Sequence, residues 1–132
     1  KEFLKDLISY HVNGRADATI GVAEVEDVTR HGIIMPEEDR IKYIIEKPSV
    51  EEAPSNLGAI GAYVFERFIF DAIRDTTPGY KGEYQLTDSV KVAVDQGRRV
   101  LYKKIEGIHI DVGTPADLML ANKWYINNEN SR

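Results

Sequence analysis

The chain has 132 residues, 42% of them hydrophobic and 30% charged, a balance that fits one soluble globular domain rather than a disordered or membrane-embedded chain. Its 22 acidic against 17 basic residues argue against broad attraction to nucleic acid, and the lack of any cysteine rules out disulfides, thiolate metal sites and cysteine nucleophiles. No apolar run approaches the roughly 18 residues of a membrane span and no secretory pattern opens the sequence, so a cytoplasmic protein with no membrane partner is expected.

Phe3, Leu4, Leu7, Ile8 and Val12 recur at helical spacing before Gly14, which predicts an amphipathic helix over 1–13. Residues 18–25 are small and β-branched and read as a strand with Ile20 and Val22 on one face. Two further strands, 32–35 and 40–46, flank Pro36, Glu37, Glu38 and Asp39, residues suited to a hairpin turn. The stretch 48–56 holds Pro48, Pro54 and several charges and is expected to cross the molecule as a loop.

A buried strand follows at 57–65, then a short helix at 67–74 and a break at 76–81 around Pro78 and Gly79. Thr87 or Asp88 is placed to cap the next helix, which Gly97 ends. Residues 99–105 read as a strand, and Gly107 turns the chain into a shorter one at 108–110. Thr114, Pro115 and Asp117 combine a hydroxyl cap, a first-turn proline and a third-position carboxylate, which starts a helix running to about residue 125. Helices alternating with hydrophobic strands predict an α/β sandwich in a single domain over 1–132, with the antiparallel hairpin inserted as an accessory flap.

Asp111 ends the last strand pattern, Gly113 permits an unusual turn, and Thr114 opens a helix whose amino terminus favours anions. A carboxylate there suits one ligand of Mg2+, which fills its other positions with water and phosphate oxygens, or else caps the turn. Glu46, Lys47 and Pro48 stand where a strand runs into a loop. Lys47 is placed to neutralise a phosphate and Glu46 to accept from sugar hydroxyls, with a solvated surface pair as the alternative. Gly32, Gly58 and Gly61 permit close backbone approach or serve as ordinary turns. His31 reads as a surface or core residue, and Arg98, Arg99, Lys103 and Lys104 as solvated surface.

Taken in order, His31-Gly32, Glu46-Lys47-Pro48, Ser55-Asn56 followed by Gly61, GEYQLTD at 82–88 and DVGT at 111–114 resemble the sugar-1-phosphate nucleotidyltransferases. The resemblance looks closest to glucose-1-phosphate thymidylyl- and uridylyltransferases. It implies a Rossmann-like α/β sandwich and a reaction joining a nucleoside triphosphate, dTTP or UTP first, to a sugar 1-phosphate, glucose 1-phosphate first. It also implies that the Gly32 and Ala59 backbones and the Glu46 carboxylate bind the sugar, that Lys47 binds its phosphate, and that Asp111 holds Mg2+.

The glycine-rich phosphate loop and the earlier aspartate of that family have no counterpart in these residues. The resemblance therefore implies the carboxy-terminal portion of a nucleotidyltransferase domain, inactive alone, whose exposed apolar surface is met by the amino-terminal half or by self-association into a homo-oligomer. A non-catalytic regulatory or binding module with the same fold is the competing expectation.

Overall fold

Strand β1 (Ala18–Glu24) is buried along both faces from Ala18 to Ala23 in the computed structural model, which describes residues 2–129. Lys1, where the expected first helix begins, lies outside the described residues. On one face Ala18, Ile20 and Val22 meet Val90 and Ala93 of helix α3 (Leu86–Asp95), the centre of the main core. On the other face Thr19 lies under helix α1 (Glu2–Asn13), where its hydroxyl is 3.0 Å from His11 Nδ1. His11 is buried and its Nε2 lies 3.4 Å from Glu66 Oε1, so it serves packing. A strand covered by helices on both faces explains why β1 carries no alternation of polar and apolar residues.

β4 (Leu57–Phe65) pairs antiparallel with one edge of β1, and β5 (Val100–Lys104) pairs parallel with the other. β2 (Gly32–Glu37) and β3 (Arg40–Glu46) form the antiparallel hairpin, with a register shift between Met35 and Pro36, where a residue lacking an N–H is tolerated. The hairpin is not a peripheral flap. Ile33↔Gly58 joins β2 to β4 and Arg40↔Leu101 joins β3 to β5, so five strands close in the order β1-β4-β2-β3-β5. Its integration follows from Ile34, Ile41 and Ile44, which enter the same core as β1. Burying each such side chain stabilises by about 1.5–3 kcal/mol, more than a hairpin standing in solvent can draw on.

Three further expectations change. α3 begins at Leu86 behind Gln85, whose side chain makes no capping bond, and Thr87 and Asp88 lie in its first turn. Thr87 is buried, its side chain packed against Gly32 at the start of β2. Residues 108–110 form no strand and run as irregular chain into α4. The apolar stripe of α1 is only partly used: Leu7 is buried, whereas Leu4, Ile8 and Val12 are 54%, 52% and 64% exposed. No helix among the described residues is long and apolar enough to cross a membrane.

Helix α2 (Ile69–Asp75) packs on α3, joined by the buried bond from Thr76 Oγ1 to Ser89 Oγ at 2.8 Å. The basic residues near β5 are engaged rather than merely solvated. Arg99 donates to Gly14 O and Asp39, Lys104 pairs with Glu24 at 2.6 Å, and Arg98 lies over the Phe68 ring.

Candidate functional site

A cleft of about 350 Å³ opens where β3 ends, lined by Glu46, Lys47, Pro48, Tyr80, Asp88 and Lys91 among others. The hairpin register sets its floor. Gly32 stands directly opposite Glu46 across the ladder, and a Cβ on Gly32 would lie 2.7 Å from Thr87 Oγ1 and 3.2 Å from Glu46 Oε2. Any side chain at 32 would therefore displace the carboxylate or the hydroxyl packed beside it. The Glu46 side chain is 10% exposed, held at the cleft floor rather than free in solvent.

Lys47 reverses the chain at that point. Its amide donates to His31 O at 3.0 Å, and its φ of 45° is left-handed, an uncommon conformation for a residue with a side chain. Buried Pro48 follows and fixes the exit direction. The crossing segment is then pinned by Ser55, whose hydroxyl donates to Ile34 O at 2.6 Å and accepts from Leu57 N at 3.0 Å. The Lys47 Nζ lies 3.6 Å from Glu46 Oε1 and 5.3 Å from the centre of the Tyr80 ring.

Asp111 reaches the same neighbourhood from another side. The Arg30 guanidinium lies 3.4 Å from Asp111 Oδ2 and 3.1 Å from Asp117 Oδ2. Gly113 leaves room for that guanidinium, because a Cβ there would sit 3.0 Å from Arg30 Nη2. Helix α4 (Pro115–Glu129) opens as expected: the Thr114 amide and hydroxyl donate to Asp117 Oδ2, and the Asp117 amide donates back to Thr114 Oγ1 at 3.2 Å. Arg30, then Thr114, hold the Asp117 carboxyl below the usual carboxylate range. Burial pushes the His31 imidazole below its ordinary value, Asp111 opposes that shift and His109 reinforces it, so all three lie within electrostatic reach.

Glu46 and Lys47 thus share one cleft, Gly32 is buried behind it opposite Glu46 rather than lining it, and Asp111 is tied to residue 30, next to the carbonyl that receives the Lys47 amide. Ala59 does not line this cleft; it pairs with Val22 in the β4·β1 ladder and packs on the core. No group of three or more histidines and carboxylates able to hold a metal exists among the described residues. Asp111 is nonetheless half-exposed and offers hard oxygen, which suits one protein ligand of an ion completed by phosphate and water.

Among the lining residues not singled out for chemistry in the sequence are Glu52, Tyr80, Asp88 and Lys91. Asp88 and Lys91 stand one turn apart on α3, and the helical period alone puts them on one face. Burial, then Glu46, raise the Asp88 carboxyl above its ordinary value while Lys91 opposes, and its Oδ2 is buried without a hydrogen-bond partner. Tyr80 sits in an irregular turn and had no sequence signal.

Comparison with known proteins identifies the family. Residues 1–128 match the family model described as nucleotidyl transferase. The chain is 35% identical to the low-salt glycan biosynthesis nucleotidyltransferase Agl11 of Haloferax volcanii, over 93% of the chain and 34% of that protein. It is 37% identical to the UTP–glucose-1-phosphate uridylyltransferase of Mycoplasma pneumoniae, over 80% of the chain and 39% of that protein. A UDP-glucose pyrophosphorylase solved in complex with UDP-glucose superimposes with a TM-score of 0.84 at 30% identity, covering 94% of the chain and 49% of that structure. The chain spans between a third and a half of the length of these relatives, and it belongs to the nucleotidyl transferase family, among the sugar-1-phosphate nucleotidyltransferases.

Proposed function

We propose that the protein carrying this chain transfers a uridylyl group from UTP to glucose 1-phosphate, releasing pyrophosphate, and that these residues supply the sugar-phosphate side of the site. The observation that carries this reading is the cleft at the end of β3, where one cation and one shielded carboxylate stand side by side opposite a residue with no side chain. UTP is preferred over dTTP because relatives bear uridylyltransferase names. In this reading the exposed stripe of α1 is where further protein packs, either the remainder of the enzyme or a second copy.

In the reaction a phosphate oxygen of the sugar 1-phosphate bonds to the α-phosphorus of UTP, and the bond from that phosphorus to the bridging β-phosphate oxygen breaks in line. The leaving group is pyrophosphate. Lys47 holds the attacking phosphate as a compact cation, and its backbone, fixed by His31, restricts where that charge can sit. Glu46 accepts from sugar hydroxyls. Asp111 would contribute one carboxylate oxygen to Mg2+, whose chemistry when bound is to neutralise charge on the phosphate oxygens. A phosphate monoester is largely ionised near neutral pH, so no protein base or nucleophile is required.

The 132 residues hold no glycine-rich loop for the triphosphate, so the chain alone is expected to give no turnover while the complete protein does. Pyrophosphate release from UTP and glucose 1-phosphate tests both statements. Lys47→Ala in the complete protein should lower kcat/KM by about 10²–10³-fold, and wild-type-like turnover by that variant would refute the reading. One observation favours the alternative of a non-catalytic module: the Arg30 guanidinium already faces the carboxylate that the metal needs.

A further inference from the structure

We propose that Tyr80 is a positioning residue, which holds the Lys47 ammonium at the cleft through its ring face and so prepares it for a phosphate dianion; this rests on the sugar-phosphate reading above. A lysine head is a strongly hydrated charge on a flexible stem, and left alone it samples many positions. The 3.6 Å approach to Glu46 Oε1 is too long to fix it as a hydrogen bond. The Tyr80 ring supplies a second restraint, 5.3 Å from Nζ to the ring centre, inside the roughly 6 Å range of cation–π attraction.

The same ring also carries the Lys81 ammonium at 5.3 Å. The turn that presents it is unusual: Lys81 and Gly82 both take left-handed φ, 55° and 74°, while the Gly79 amide donates to Glu83 O at 2.9 Å to close the loop. Two ammonium groups gathered on one partly exposed ring place positive charge at the Tyr80 end of the cleft. That arrangement selects for a doubly charged phosphate over a neutral sugar.

The test uses the complete protein as wild type, Tyr80→Phe, Tyr80→Leu and Lys47→Ala. In NMR spectra the Lys47 ε-methylene protons should be displaced upfield by the ring current in wild type and Tyr80→Phe, and should return to ordinary positions in Tyr80→Leu. Calorimetric titration with glucose 1-phosphate should show Tyr80→Phe within about twofold of wild type and Tyr80→Leu weakened about two- to fivefold. A role in folding alone would leave the Lys47 resonances and the rescue by phenylalanine unexplained. Ordinary Lys47 shifts in wild type overturn the proposal. Binding lost in Lys47→Ala but unchanged in Tyr80→Leu overturns the role of Tyr80 and leaves the sugar-phosphate reading intact. Absence of binding in wild type overturns both.

Discussion

The β3 end and the Asp111 segment are built by opposite means. Gly32, Glu46 and Thr87 are locked together by a ladder register and by packing against α3, within a sheet whose neighbouring Ile33, Ile34 and Ile44 are fully buried. Asp111 lies in an irregular run before α4, whose Leu118, Met119 and Leu120 are all more than half exposed, and its links to the strands run through the exposed Arg30. Surface ion pairs of that kind hold a segment loosely, whereas core packing fixes side chains to a fraction of an ångström. Under the proposed function, a preorganised sugar-phosphate side would then stand beside an adjustable metal side.

The sharpest way to break this contrast is Gly32→Ala. A methyl group at 2.7 Å from Thr87 Oγ1 forces the hairpin and α3 apart, and a loss of about 1–3 kcal/mol is expected in denaturant melts, together with weaker binding of glucose 1-phosphate. A variant as stable as wild type would mean that the strand end is not tightly packed. Arg30→Gln asks the converse question. Its melting temperature should stay near wild type, while amide exchange speeds up over residues 111–117 and not over 32–46. Equal acceleration in both segments would erase the distinction.

Asp88 gives the smallest effect and a pH signature. Because its carboxyl is raised in the folded state, chiefly by burial and next by Glu46, its ionised form opposes folding. That cost appears as pH rises from the unfolded carboxylate value through the folded one, and it vanishes in acid below both. Asp88→Asn should therefore raise the melting temperature slightly at neutral pH and not in acid. A variant that stabilises equally at every pH would point to packing instead.

Much of this was legible in the sequence. The helix start at Thr114-Pro115-Asp117 was readable because its capping logic is local, and the hairpin because its turn residues are local too. The closure of the sheet was not, since it depends on two single-residue seams, Ile33↔Gly58 and Arg40↔Leu101, between segments far apart in the chain. The strand expected at 108–110 did not form, because β-branched residues make a strand only where tertiary pairing accepts them. Of the cleft, Glu46 and Lys47 were pointed to by the family resemblance, while Tyr80 depends on a turn with left-handed residues that no periodicity marks.

The proposed function requires the Lys47 ammonium and a metal ion held by Asp111 to converge on the bound sugar phosphate from two sides of residues 30–32. It is tested most directly by relaxation of the 31P signal of glucose 1-phosphate in the complete protein with Mn2+ in place of Mg2+. Strong paramagnetic relaxation is expected in wild type, its loss in Asp111→Asn with glucose 1-phosphate still bound, and loss of binding itself in Lys47→Ala. Relaxation that persists undiminished in Asp111→Asn, with the sugar phosphate bound, would contradict it.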